Sequence, residues 1–291
     1  DKWLPHLLGH EASGTVVDVG ADVTKVAPGD DVILTWIKCS GIESATPQYC
    51  HNGRTINAGP VTTFSNYSIV SENRVALKPD ELDMDIAVLF GCALATGSGM
   101  VLNELKPEAN DSVIVLGLGG VGMSALLALI ATGVKQIIAI DTDPQKIELA
   151  QSLGVTAVQY ESGESVLSFV RHFFPDGADF CIEAGGTTGT IELGFSLINE
   201  RAGQLLFASH PPAGEQISLD PHELITGKQI RGSWGGATRP DIDVPLLSKL
   251  VVRNRVPLMT LTKDKFPLED INKAIDLFKR RKIIRPIIVT V

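Results

Sequence analysis

The chain has few cysteines, no long apolar run and no excess of positive charge, and each shortage excludes a class of protein. Four cysteines in 291 residues, Cys39, Cys50, Cys92 and Cys181, are too few for a disulfide scaffold, so reduced thiols and a cytoplasmic setting are expected. The longest apolar stretches, such as Ser124–Ala131, fall well short of a bilayer span, and the N-terminus shows no secretory signal pattern; no membrane partner is expected. With 25 Lys and Arg against 34 Asp and Glu, the formal charge is −9, which argues against nucleic acid or an anionic membrane as a partner. There is no internal repeat and no low-complexity tract. What is present is apolar residue, 44% of the chain, enough to build a substantial core in one large domain or two ordinary ones.

The most specific signal is Val113–Gly122, VIVLGLGGVG. Val113–Leu116 reads as a short buried strand. Gly117 permits the tight turn out of it, Gly119 lets the backbone approach a pyrophosphate, and Gly122 allows the following helix to pack closely on the strand. That helix is predicted through Met123–Ala131 with Gly133 as its C-cap, and its N-terminal amides would face the phosphates. A second strand, Gln136–Ile140, ends at Asp141, 19 residues beyond Gly122. An acid there accepts hydrogen bonds from an adenosine ribose and repels a 2′-phosphate, so the spacing implies NAD rather than NADP. Alternation then continues: a helix from Asp143-Pro144 to Gly154, a strand near Thr156–Val158, a helix near Ser165–Phe173, the strand Ala178–Ile182, a helix from about Thr190 and the strand Gly203–Ala208. This is the pattern of a doubly wound parallel α/β sheet with helices on both faces.

The first ninety residues differ. Ala12–Val19, Asp31–Thr35 and Thr63–Val70 are short, rich in Val, Ile and Thr, and separated by turn residues, which predicts an irregular antiparallel β domain. After the Rossmann stretch come helices near Val244–Val252 and Leu268–Lys279 and a closing strand Arg285–Val291, a tail expected to return to the first domain. The expected divisions are therefore residues 1–94, 95–233 and 234–291.

Two residues of the first domain have metal-ligand chemistry: His10 in Gly9-His10-Glu11 and Cys92 in Gly91-Cys92-Ala93. Imidazole nitrogen and thiolate sulfur suit zinc, and a catalytic zinc keeps three protein ligands and an open position. By themselves the two read first as a satisfied polar residue and a buried small hydrophobe. The metal reading needs the pattern around them.

That pattern is Gly9-His10-Glu11-Ala12-Ser13-Gly14, then Pro28-Gly29-Asp30-Asp31-Val32, Gly91-Cys92 with Thr96-Gly97, Gly117–Gly122, Gly232, Gly235-Gly236 and Ile284-Arg285. In this order and over the whole length, the chain resembles the zinc-dependent medium-chain alcohol dehydrogenases of the medium-chain dehydrogenase/reductase family. The resemblance implies a Rossmann sheet inserted in a GroES-like, mainly antiparallel β catalytic domain. It implies that His10 and Cys92 are catalytic zinc ligands, with Glu11 as the neighbouring acid and at times a transient ligand. Thr96, Gly117, Gly119, Gly120, Val121, Gly122, Asp141, Lys146 and Arg285 match cofactor-contacting positions, Arg285 toward the pyrophosphate. Trp36 falls where the family lines its substrate pocket, and reads equally as a core aromatic. His210, on the loop after a Rossmann strand, reads as a solvent-facing turn residue, although the loop is expected near the nicotinamide.

The family carries a third zinc cysteine and a proton-relaying hydroxyl upstream of the first residue here, so no residue of this chain is assigned to either role, and the sequence is expected to be part of a longer one. Where many relatives hold a structural zinc with four cysteines, only Cys39 and Cys50 occur, in a segment that reads as an uncharged loop with spare cysteines, and His51 matches no standard zinc spacing; one catalytic zinc and no structural zinc is the expectation. The resulting expectation is an NAD-dependent, zinc-assisted oxidoreductase acting on a primary or secondary alcohol or its carbonyl, possible substrates including sugars and polyols. The rivals are a zinc-free quinone or enone reductase of the same superfamily and a non-catalytic NAD(H)-binding regulator. A homodimer or homotetramer joined through Rossmann edge strands, from Gln204–Ala208 to Gly232, is expected.

Overall fold

A computed structural model describes residues 4–255, 257–280 and 282–290. The chain forms two compact units: one from residues up to Ala95 and from Thr238 onward, the other Thr96–Ala237. The second division thus falls after Ala237 rather than after Ser233. Gly235–Ala237 belongs with the second unit because Gly236 packs so tightly on Thr96 and Gly99 that a Cβ there would lie 2.3 Å from the Thr96 carbonyl oxygen.

The first unit has strands β1 (Glu11–Thr15), β2 (Asp31–Thr35), β3 (Tyr49–His51), β4 (Arg54–Ile56) and β5 (Val75–Leu77). β1, β2 and β5 make an antiparallel sheet in that order, and β2 buries Val32 and Ile33 in the core. Two expectations are corrected here. Thr63–Val70 is not a strand: the Ser65 hydroxyl donates to the Tyr67 carbonyl and Ser68 donates to the Thr62 carbonyl, local bonds that compete with a sheet ladder. Conversely, Cys50 and His51, read as loop, lie on β3 of a hairpin whose Asn52-Gly53 turn has φ 51° and 74°, the left-handed pair that a two-residue hairpin loop demands. The helices α1 (Met84–Ala87) and α2 (Ala93–Gly99) follow, and α2 runs on as a π-helical stretch, Met100–Leu105.

The second unit alternates β6 (Ser112–Leu116), α3 (Gly120–Thr132), β7 (Gln136–Asp141), α4 (Pro144–Ser152), β8 (Thr156–Gln159), α5 (Gly163–Phe173), β9 (Phe180–Glu183), α6 (Thr188–Leu197), β10 (Gln204–Phe207), α7 (Pro221–Thr226) and β11 (Gln229–Gly232). All six strands are parallel, in the order β11-β10-β9-β6-β7-β8. Parallel strands covered on both faces should be apolar throughout, and β6 is buried at every residue. On one face Ile114, Ile138, Val166, Val170, Phe195 and Leu205 meet in a single apolar cluster. The strand order reverses between β6 and β9, and in such sheets ligands bind outside the carboxyl ends of the strands at that point.

The tail supplies α8 (Pro240–Arg253), β12 (Lys265–Pro267), α9 (Ile271–Lys279) and β13 (Ile287–Val289), with β12 and β13 paired in parallel. The expected closing strand is thus shorter than 285–291, and Val291 lies outside the described residues. α8 is tied into the first unit by Asp241, which accepts from Ser40 and pairs with Lys25 at 2.5 Å, and by Ser248, which donates to Glu81 at 2.5 Å. Among the described residues no single helix is long and apolar enough to cross a membrane.

Candidate active site

The glycine turn after β6 has the geometry its residues foretell. Gly117 has φ +91°, and a Cβ there would lie 2.7 Å from the Ala184 carbonyl. At Gly122 a Cβ would fall 1.8 Å from the Gly117 oxygen, so only glycine lets α3 approach the turn. Around Gly119, by contrast, nothing lies within 4 Å of a built Cβ, so the backbone before α3 faces open space. Gly120 and Val121 open α3, whose first amides have no intrahelical partners and carry partial positive charge. This cradle fits a pyrophosphate.

Asp141 ends β7, 8% exposed. Its carboxylate accepts from Leu118 N, inside the glycine turn, at 2.6 Å and from Asp143 N at 2.9 Å, and Lys146 on α4 lies 3.5 Å away. The acid, the lysine and the turn therefore form one group at the carboxyl edge of the sheet. Thr96, buried at 6% exposure, lies in α2.

In the first unit, His10 and Cys92 meet: Nε2 lies 3.3 Å from Sγ although the residues are 82 apart in sequence. His10 directly precedes β1. Cys92 follows a short helical turn ending at Gly91, where a Cβ would strike the Leu34 carbonyl at 2.5 Å and the Glu11 side chain at 2.8 Å. That glycine is what lets the Cys92 backbone settle against β1 and β2. Trp36, one residue past β2, donates its indole N–H to Cys92 Sγ at 3.2 Å, a polar role that neither the pocket nor the core reading had given it.

Partial desolvation, then the Arg285 charge, lower the His10 pKa from its ordinary value, which favours the neutral imidazole whose lone pair a metal would take. Arg285 itself is paired with Glu11; burial draws its pKa down to about 10, which leaves it cationic at neutral pH. The second Glu11 oxygen, Oε2, is buried without a hydrogen-bond partner.

The donor pair fits zinc in kind, and its separation is short enough for one ion to bond both atoms, since Zn–N and Zn–S bonds are about 2.0 and 2.3 Å. Among the described residues no group of three His, Cys, Asp or Glu forms a metal cluster, so His10 and Cys92 supply two donors. Cys39 and Cys50 behave differently. Burial pushes the Cys39 thiol up to about 12, and its sulfur rests 3.8 Å from the Ile37 carbonyl, while Cys50 is exposed. His210 is exposed and stacks edge-on against Trp234 at 5.8 Å.

One group at the cofactor edge escaped the sequence reading. Glu183 closes β9 fully buried and binds Gly185 N and Ser209. The signal was there, since an acid closing an apolar strand run is the same cue that marked Asp141. Glu72 was missed as well; it gathers the amides of Thr24, Lys25 and Ile42.

Residues 120–251 match the zinc-binding dehydrogenase family and residues 2–80 the alcohol dehydrogenase GroES-like domain. The S-(hydroxymethyl)glutathione dehydrogenase of Synechocystis is 30% identical over 312 residues, covering 98% of this chain and 85% of that protein. Among solved structures, an alcohol dehydrogenase zinc-binding domain protein from Burkholderia ambifaria superposes with a TM-score of 0.89 at 28% identity, over 98% of this chain and 84% of the other. Benzyl alcohol dehydrogenase from Acinetobacter calcoaceticus gives 0.88 at 26% identity, over 99% and 85%.

Proposed function

This chain belongs to the zinc-dependent medium-chain alcohol dehydrogenase family, and from that premise we propose that it transfers a hydride between NAD(H) and a primary or secondary alcohol or its carbonyl, with one catalytic zinc. Family membership makes it an alcohol dehydrogenase-like oxidoreductase. The observation that carries the fuller reading is the meeting of His10 and Cys92 at 3.3 Å. Its relatives are named for S-(hydroxymethyl)glutathione and for benzyl alcohol, so relationship points to the carbinol and leaves the rest of the substrate, sugar or polyol included, to assay.

His10 and Cys92 would hold the zinc, which when bound supplies a Lewis acid for the substrate oxygen. The Trp36 N–H donates to the Cys92 sulfur and so fixes its position beside His10. Arg285 neutralises Glu11, so the acid beside His10 adds little net charge. In the second unit Gly119, Gly120 and Val121 would receive the pyrophosphate, Gly117 and Gly122 keep that turn compact, and Asp141 with Lys146 would meet the adenosine ribose; Thr96 completes the proposed set there, while Arg285, expected toward the pyrophosphate, is engaged by Glu11 in the first unit. NAD held by the second unit would supply the hydride acceptor for alcohol oxidation.

The protonated, half-buried Cys39 and the exposed Cys50 support a single zinc. Among the described residues β11 has a sheet neighbour on one side only, which supports a homodimer or homotetramer built on that edge, and four cysteines that form no disulfide support a cytoplasmic location.

The test is NADH formation over a panel of alcohols together with zinc content by plasma emission. Cys92→Ser is expected to lose zinc and at least about 100-fold in kcat/KM, the scale on which electrostatic stabilisation at a reacting oxygen acts. Full turnover without zinc would decide for the zinc-free enone or quinone reductase, and NADH binding without any turnover would decide for the regulator. Asp141→Ala is expected to raise kcat/KM with NADP relative to NAD, and an unchanged ratio would remove Asp141 from the ribose.

A further inference from the structure

We propose that Ser209 and Glu183 together position the cofactor's nicotinamide half; the proposal rests on the NAD reading above. The turn after β6 faces the pyrophosphate and Asp141, at the end of β7, marks the adenosine side. A dinucleotide spans the point where strand order reverses. Its other half therefore lies across β6 from Asp141, over the carboxyl ends of β9 and β10.

Glu183 stands there, level with Leu116 of β6 and Phe207 of β10 in the strand register. Its Oε1 accepts from Gly185 N at 2.7 Å and from the Ser209 hydroxyl at 2.9 Å, and the Ser209 oxygen accepts from Gly186 N at 2.6 Å. One amide of the turn after β9 and one hydroxyl of the loop after β10 thus converge on a single carboxylate, and the next amide, Gly186 N, binds that hydroxyl. These three bonds link the turn after β9 to the loop after β10, so the two loops are held as one piece.

That piece also abuts the glycine turn. A Cβ on Gly117 would meet both the Ala184 carbonyl and Gly185 N at 2.7 Å, leaving no slack between the segment Ala184–Gly185 and the pyrophosphate cradle. Glu183 Oε2, meanwhile, is buried without a partner, and such an oxygen costs stability. Glu183 is fully buried and acts through the loops, as a positioning residue.

The experiment is calorimetric titration of the full chain with NADH and, separately, with AMP, which carries only the adenosine half. Ser209→Ala is expected to weaken NADH binding about tenfold, the scale of one side-chain hydrogen bond, and to leave AMP within about twofold. Ser209→Thr keeps the hydroxyl and is expected to restore NADH affinity. A Ser209→Ala protein that binds NADH as wild type does, one that loses NADH and AMP affinity in parallel, or a threonine variant that restores nothing, overturns the proposal. Wild-type protein that binds no NADH overturns the cofactor reading itself, which separates the two failures.

Discussion

Gly119 and Gly122 stand three residues apart on one turn and answer to different demands. At Gly122 a methyl would overlap the Gly117 carbonyl, at 1.8 Å, whereas at Gly119 it would enter open space. Gly122→Ala is therefore expected to destabilise the second unit by about 1–3 kcal/mol through overpacking, seen as a lower midpoint in urea. Gly119→Ala is expected to leave that midpoint unchanged and to weaken NADH binding, because its methyl occupies the phosphate's approach; calorimetry checks the pair. The same two glycines look identical in sequence. Their roles were legible from the spacing of the motif, and the structure adds which of them is needed for folding. His10 and Cys92 are the opposite case: each residue alone read as unremarkable, and their chemistry exists only because Gly91 lets the two backbones close.

Among the elements, those with local signals were readable and those without were not. α4 starts where Asp143-Pro144 directs it: Asp143 caps the helix by accepting from Gln145 N at 3.0 Å, with proline at the first helical position. Asp143→Ala is expected to cost about 1 kcal/mol, the usual worth of such a cap, measured as a shift in the urea midpoint with no change in slope. Thr187 and Thr190 form a reciprocal cap at the start of α6, and the helix expected from about Thr190 begins two residues earlier. Thr63–Val70 misled in the other direction. Its β-branched and aromatic residues favour a strand, yet the Ser65 and Ser68 hydroxyls donate to the Tyr67 and Thr62 carbonyls locally and compete with a ladder. The β3–β4 hairpin was marked by Asn52-Gly53, but strands of three residues carry too little alternation to be recognised.

At the scale of the molecule, the two units are held by different forces. The second is a layered sheet whose backbone groups pair with one another. The first has short strands and long loops, and acidic side chains serve the loop amides. Glu72 is held below the usual carboxylate range by bonds from Ile42, Thr24 and Lys25; Glu43 by Lys38, then Arg74; and Glu81 by Ser248. At Asp241 burial pushes upward, but Lys25 and Ser40 outweigh it. A carboxyl whose folded pKa is depressed adds stability that is present above its unfolded value, about 4, and is lost as pH falls through the folded value. The first unit is thus expected to lose stability on acidification below about pH 4. Glu72→Gln is expected to be less stable than wild type at pH 7 and to show a shallower decline toward acid; equal slopes of unfolding free energy against pH would contradict it. The sequence by itself determined the Rossmann alternation, the glycine cradle, the acid at the end of β7 and the family, because periodicity, caps and spacing act over a few residues. Only the tertiary structure decided that Cys92 meets His10 and Trp36, that Arg285 pairs with Glu11 and that Glu183 joins Ser209. Such contacts join segments tens to hundreds of residues apart, and their distances are set by strand register and close packing, which no local pattern encodes.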